Sequence, residues 1–237
     1  MKNISKILVL IISSIFIIGC SISEEITLNA NGNINYSYLL DASKCTHMLP
    51  DTIGQPKIIK DTTFSFVNFL KEKKDSISNL SLDEQKKLYT LKPFSIKIHQ
   101  DDNKKEFTIQ LFGDFKDVNS LNSALSSFST ISQNNLNVLS EVNFSLLTHI
   151  QYNWDGKIFK KKVLEHIEKN DSTKIILSTM FNGGFYDVKY NFPKKIKKAN
   201  NPSAIISSDR KSLFIRNDAT DYIMYPEKLN IEIELEN

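Results

Sequence analysis

Short runs of alternating apolar and polar residues, divided by turn-forming clusters, recur along this chain and restrict it to a sheet-rich fold. Phe94, Ile96 and Ile98 alternate with polar neighbours, Asp101-Asp-Asn-Lys-Lys turns, and Phe107, Ile109 and Leu111 alternate again. Ile26-Thr-Leu-Asn and Ile34-Asn-Tyr-Ser-Tyr flank Asn29-Ala-Asn-Gly32-Asn, which predicts a first hairpin. A further hairpin is expected from Phe144 to Val163, because Trp154-Asp155-Gly156-Lys157 supplies a turn that tolerates positive φ. Tyr186, Val188 and Tyr190 alternate up to Pro193, and Ala204–Ile206 pairs with Leu213–Ile215 across Ser207-Ser208-Asp209. Leu229, Ile231, Ile233 and Leu235 form a last strand with one buried and one wet face.

Helical spacing is sparser. Phe64, Phe66, Val67, Phe69 and Leu70 suggest a helix over 61–74 begun by Asp61 or Thr62. Ser81-Leu-Asp-Glu84 is a capping box ahead of Leu82, Leu88 and Leu91. Val118, Leu121, Leu125 and Phe128 predict a helix over 117–131. Ile175, Ile176, Met180 and Phe181 predict one stopped by Gly183-Gly184. Residues 41–60, with Pro50, Gly54 and Pro56, read as a loop. The expected fold class is α+β: a mainly antiparallel sheet built from hairpins, with several helices packed on one side.

The chain begins with the positive stretch Met1-Lys-Asn-Ile-Ser-Lys6, followed by Ile7–Ile18, apolar except for Ser13 and Ser14. As a helix this run reaches about 18 Å, short of a hydrocarbon core of about 30 Å. A secretory signal fits it better than a permanent span. Its end, Ile17-Ile18-Gly19-Cys20, resembles a bacterial lipoprotein signal. That resemblance implies signal-peptidase recognition through Ile17, Ile18 and Gly19, cleavage before Cys20, and lipidation of the Cys20 sulfur. Two or three acyl chains, each worth about 0.8 kcal/mol per buried methylene, anchor stably where one does not. The alternatives are a signal peptide that merely ends in Cys and an uncleaved anchor. The expected organisation is a signal peptide at 1–19, a lipidated tether at 20–25, and one envelope domain at 26–237.

Ser21 stands where an Asp would signal inner-membrane retention in an enteric-type bacterium. Glu24 and Glu25 look like the surface-export signal of Bacteroidota lipoproteins, or else belong to a solvated tether. The expected place is therefore the envelope: outer membrane, periplasmic or surface-exposed. Once Cys20 is consumed, Cys45 is the single remaining thiol, either buried or paired with another molecule, and no internal disulfide is expected.

Composition removes other classes. With 24% charged and 41% hydrophobic residues the chain is neither disordered nor a multi-pass membrane protein. Two Cys cannot build a disulfide-rich scaffold or a four-thiolate zinc site. Thirty Lys and Arg stand against 27 Asp and Glu, and Lys2 and Lys6 fall in the leader, so no basic field for nucleic acid remains. Phosphate-loop, His-Glu-x-x-His and Gly-x-Ser-x-Gly patterns are absent, and Asn182-Gly-Gly-Phe185 lacks the Lys and Ser/Thr of a phosphate cradle. Of four His (47, 99, 149, 166), only His47 sits beside a soft ligand; on an extended strand Cys45 and His47 share a face that copper or zinc can use. The alternative, adopted here with no metal and no cofactor, is packing beneath the 50–60 loop. Lys160–Lys162 and Lys194-Lys195, Lys197-Lys198 read as solvated strand edges or as attraction to anionic head groups. Asp101-Asp102 and Asp83-Glu84 have local roles in a turn and a helix start, so no carboxylate dyad is inferred.

From Gly183 onward the chain resembles a group of Bacteroidota lipoproteins. The carrying residues are Tyr186-Asp-Val-Lys-Tyr-Asn-Phe192-Pro193-Lys194-Lys195-Ile196, Ala204, the Asp209-Arg-Lys-Ser turn, Asp221-Tyr222, Pro226 and Leu229-Asn-Ile-Glu-Ile-Glu-Leu235, with Ile26–Gly32 and Asp41-Ala-Ser43 near the start. The arrangement is also distantly similar to the LppM-type lipoprotein domain, which pairs an N-terminal hairpin with a late strand entering Phe-Pro. These resemblances imply an envelope lipoprotein and point toward lipid or glycolipid handling, and they carry over no catalytic residue. The expected role is non-enzymatic binding or assembly, with the membrane as partner through lipid on Cys20 and an envelope protein or lipid as ligand. The second reading is a lipid or glycolipid carrier or sensor, its cavity lined from the 15 Phe and eight Tyr.

Overall fold

A computed structural model describes residues 19–48, 57–128, 150–164 and 171–237. Its elements run β1 (Ser21–Leu28), β2 (Ile34–Asp41), a 3-10 turn (Ser43–Met48), β3 (Ile59–Ser65), α1 (Phe66–Glu72), α2 (Lys74–Ser78), α3 (Leu82–Tyr89), β4 (Phe94–Asp101) and β5 (Glu106–Phe115). Next come α4 (Val118–Ser126), β6 (Ile150–Trp154), β7 (Ile158–Val163), α5 (Asp171–Phe181), β8 (Phe185–Asn191), β9 (Ile196–Ala199) and β10 (Ile205–Ile206). The chain ends with β11 (Ser212–Asp218), α6 (Ala219–Met224), a 3-10 turn (Pro226–Leu229) and β12 (Ile231–Leu235).

The expected α+β class holds, but the strands divide into two sheets. Eight lie in the order β10-β11-β8-β1-β2-β5-β4-β3, and four in the order β6-β7-β12-β9. Every pairing is antiparallel except β1 with β8. Each strand of the large sheet buries alternate residues. Ile22, Glu24, Ile26 and Leu28 on β1 face inward, as do Tyr186, Val188 and Tyr190 on β8.

That inner face is covered by the small sheet and the helices together. Phe159 of β7 lies 5.0 Å, ring to ring, from Tyr190, and Tyr152 of β6 lies 6.4 Å from Tyr36 of β2. Further along, Phe128 sits 5.5 Å from Phe94 of β4 and 5.8 Å from Phe66 of α1. Tilted, edge-to-face and, between Tyr152 and Phe159, stacked contacts run from α1 across to Phe192, so aromatic rings fill much of the space between the layers.

The three hairpins form where local signals place them, although residues 144–149 of the third lie outside the described residues. The capping box at Ser81 and Glu84 is present. The last strand buries Ile231, Ile233 and Leu235, while Leu229 belongs to the 3-10 turn before it. Residues 129–131 of the expected 117–131 helix, and His149 and His166, lie outside the described residues.

Two expectations change. Residues 59–65 are strand rather than the start of a helix: β3 pairs with β4 along its whole length, and the helix begins only at Phe66. As an edge strand β3 has little core to fill, so its Lys60-Asp-Thr-Thr sequence lacks a period-2 apolar signal. Residues 20–25 are not a free tether, because β1 starts at Ser21 and continues without a break. On α5 the core-facing residues are Leu177, Met180 and Phe181, while Ile175 and Ile176 point to solvent.

Asn122 of α4 seals the open edge of the small sheet. Its side-chain amide donates to the Tyr152 carbonyl at 2.7 Å, and its side-chain oxygen accepts from the Tyr152 N–H at 2.9 Å. One side chain thus stands in for a neighbouring strand on β6. Asn122→Ala removes both bonds and leaves two backbone groups without partners, so a loss of about 1–3 kcal/mol is expected in urea denaturation. A change within about 0.5 kcal/mol would show that water replaces the amide without cost.

Candidate functional site

Strand alternation sends Glu24 into the protein. It lies two residues before Ile26 on β1 and shares the inner face with it. Opposite, the Asp155-Gly156 hairpin sets Tyr152 across from Lys161, and Ile150 across from Val163. Lys161 therefore shares the buried face of β7 with Phe159, while Lys160 and Lys162 remain exposed. Lys161 Nζ reaches Glu24 Oε2 at 2.6 Å, and both side chains are 0% exposed.

Tyrosines complete the shell. Tyr190 donates its hydroxyl to Glu24 Oε1 at 2.7 Å, and Tyr186 donates to Oε2. Lys161 also donates to the Tyr186 oxygen at 2.8 Å. Tyr222 of α6 stacks on Tyr186 at 4.9 Å and is hydrogen-bonded to Tyr38 of β2. The hydroxyls of Tyr36 and Tyr152 are buried against one another, and neither meets any other hydrogen-bond partner among the described residues.

The electrostatics follow from this shell. Burial pushes the Glu24 carboxyl upward, but the Lys161 charge and the bonds from Lys161, Tyr186 and Tyr190 outweigh it and hold the group below its ordinary 4.5. Burial draws the Lys161 ammonium down, against the pull of Glu24. Burial, and then the negative charge of Glu24, raise Tyr186 and Tyr190 well above the ordinary phenol value, so both remain donors. The cluster is therefore a closed polar knot. Its carboxylate and amine are bound to each other and out of reach of a substrate in solution.

A second constellation lies at the start of β1. Gly19 packs against the backbone of Asn182 and Gly184, and the Cys20 N–H donates to the Met180 carbonyl at 2.9 Å. Gly183 ends α5 with φ of +76°. Gly184 lies so close that a Cβ there would run into the Cys20 carbonyl. Cys20 is buried and joined to Cys45 as a disulfide, with Cα atoms 5.7 Å apart. The expectation of a lone Cys45 thiol applies to a chain whose Cys20 carries lipid; with Cys20 unmodified the two sulfurs pair. The Cys45 sulfur also lies 3.1 Å from the Met180 carbonyl.

The Cys45–His47 metal candidate loses its premise. Residues 43–48 form a 3-10 turn, not an extended strand, and the His47 side chain lies outside the described residues. No group of three metal-ligating side chains occurs among the described residues. Lys197 and Lys198 lie on β9, at the edge of the small sheet, where both meet Glu234. Asp101 accepts from the Asn103 and Lys104 N–H groups in the β4–β5 turn, Asp102 accepts from the Ile58 N–H ahead of β3, and Asp83 pairs with Lys87. Ile17 and Ile18 lie outside the described residues, and no helix among those described is long and apolar enough to cross a membrane.

No protein-family model matches this chain, and no curated protein matches it. An NMR structure of the folded domain of the Mycobacterium tuberculosis LppM protein overlaps 92% of this chain and 89% of that one, at 6% sequence identity and a TM-score of 0.42. That is a distant structural likeness and does not establish a shared function.

The buried pair makes a sharp expectation. Lys161→Met strands the Glu24 carboxylate and costs about 3–5 kcal/mol in chemical denaturation, whereas Glu24→Leu combined with Lys161→Met regains a large part of it. Glu24 is depressed in the fold, so its contribution is complete above pH 4.5 and fades as pH falls toward its folded value. The stability gap between the wild type and Glu24→Gln therefore narrows on acidification below pH 4.5. A gap that is constant with pH would mean that Glu24 is not ionised in the folded protein.

Proposed function

We propose that this chain is a lipid-anchored protein of the bacterial cell envelope, carried by a diacylglycerol thioether on Cys20 and serving a non-catalytic binding or assembly role. The observation that carries this reading is the apolar run Ile7–Ile18 closing on Ile17-Ile18-Gly19-Cys20, directly ahead of a folded body that begins at Ser21. Ile17, Ile18 and Gly19 are the proposed recognition residues for the peptidase. The closed character of the Glu24–Lys161 knot supports a non-catalytic role, since its acid and base are shielded from solvent. The partners are the membrane, through the lipid, and an envelope protein or a lipid.

The Cys20 sulfur carries one bond or the other. A thioether excludes the disulfide and leaves Cys45 as a thiol, which already has an acceptor in the Met180 carbonyl. Lipid addition precedes folding in this scheme, because Cys45 covers the Cys20 sulfur in the folded body. A carrier that shelters a lipid among the aromatic rings is the second reading. It is favoured by the buried hydroxyls of Tyr36 and Tyr152, which meet only each other among the described residues and offer polar atoms to a bound head group or carbonyl. Stoichiometric lipid in native mass spectra, beyond any on Cys20, separates it from the first.

In a bacterial host fed labelled fatty acid, the wild type takes up label in the membrane fraction and Cys20→Ser does not. Alkylation under denaturing, non-reducing conditions modifies Cys45 in the labelled protein. Membrane-bound protein without label, its Cys45 resistant to alkylation until reduced, would show that the disulfide form prevails and would end the lipid reading.

A further inference from the structure

We propose that the exposed apolar faces of α5 and α6 rest on the lipid bilayer and fix the orientation of the protein on the membrane. This inference rests on the anchoring proposed above. Ile175 and Ile176 of α5 are 64% and 60% exposed, and Tyr225 and Met224 at the end of α6 are 50% and 39% exposed. The two helices pack side by side. Four large apolar side chains on adjoining helices, outside any core, need a partner.

The position of the patch indicates which partner. The chain enters the folded body at Gly19, against Asn182, only six residues beyond Ile176. Along a helix that distance is about 9 Å. The chain ahead of Gly19 contains the apolar run Ile7–Ile18, and the proposed lipid leaves from Cys20. Either attachment brings the bilayer to this end of the molecule. The Gly184 hub ties both helices to it: its N–H bonds to Phe181 at the end of α5, and its carbonyl accepts from Ala219 at the start of α6.

The patch also suits an apolar phase in its polar atoms. Ser178 and Thr179, on the same helix, donate their hydroxyls back to the Ile175 carbonyl at 2.9 Å each. They lose little when water is removed. Tyr225 carries the Lys228 ammonium 4.4 Å above its ring, and Lys228 is paired with Asp221 at 2.7 Å. An aromatic ring with a cation over its face matches the head-group level of a membrane. The bilayer is the partner that the attachment point itself brings to this end of the molecule.

The test uses the full chain processed in a bacterial host and reconstituted in vesicles of phosphatidylethanolamine and phosphatidylglycerol containing brominated phosphatidylcholine. In a Trp154→Phe background, single tryptophans are introduced by Ile176→Trp, Met224→Trp and, on β4 of the large sheet, Lys97→Trp. The expected result is loss of fluorescence at positions 176 and 224 with none at 97, and Cys20 shown by mass to carry lipid. No loss at 176 and 224 with lipid present on Cys20 overturns the docking while leaving the anchor intact. Equal loss at all three positions also overturns it. Loss at 176 and 224 without lipid on Cys20 supports the docking and removes the lipid reading. Position 176 unquenched by brominated lipid yet shielded from aqueous iodide assigns the patch to a protein partner and overturns the proposal.

Discussion

One ion pair fixes how the two sheets of this protein meet. Glu24 and Lys161 are 137 residues apart in sequence and come within 2.6 Å at the centre of the interlayer space. Apolar packing fixes the layers through shape, while the buried pair adds a requirement on position that shape alone does not make. The partner of a buried charge must be present with good geometry, or several kcal/mol of desolvation go uncompensated. The Glu24–Lys161 knot therefore acts as a register pin, and the rings of Phe159, Tyr190 and Tyr36 pack around the arrangement it selects.

The pin and the proposed anchor share a strand. β1 carries Cys20 at its entrance and Glu24 four residues later, and it lies in the interior of the large sheet, paired with β2 on one side and β8 on the other. A load applied at Cys20 runs along β1 and is opposed by two backbone ladders in shear and by the buried ion pair across the layers. A long flexible leader would instead let the body diffuse away from its attachment. Because strand structure starts at Ser21, the body sits directly on whatever holds Cys20. A rigid junction of this kind gives meaning to the orientation of the exposed α5 and α6 faces.

Much of the fold was legible because its signals are local. The Asp155-Gly156 turn, the Ser81–Glu84 capping box and the alternation of Tyr186, Val188 and Tyr190 each need only a few neighbouring residues to be recognised. The edge strand β3 was not legible, because Phe64, Phe66 and Phe69 have helical spacing while the pairing that makes 59–65 a strand comes from β4. The candidate site was hidden by composition. Lys161 sits inside a Lys-Lys-Lys run, and Glu24 follows Ser23 in what reads as a polar leader. The hairpin register held the missing information: Trp154 pairs with Phe159 across residues 155–158, which places Lys161 opposite Tyr152, on the face that also holds Ile150. Carrying alternation back from Ile26 puts Glu24 on the inner face by the same reasoning.

The Cys20 sulfur joins these threads, because it has a single valence to give. As a disulfide to Cys45 it ties the start of β1 to the 3-10 turn after β2 and reinforces a hairpin that the β1–β2 ladder already holds. As a thioether it gives up that tie, and the hairpin loses little, because eight paired residues and the ion pair at Glu24 remain. Releasing the sulfur then falls to the Ser43–Met48 turn, which must uncover it, since Cys20 is buried and Cys45 lies against it. Glu24 lies far enough along β1 to hold the strand in register whichever bond Cys20 makes.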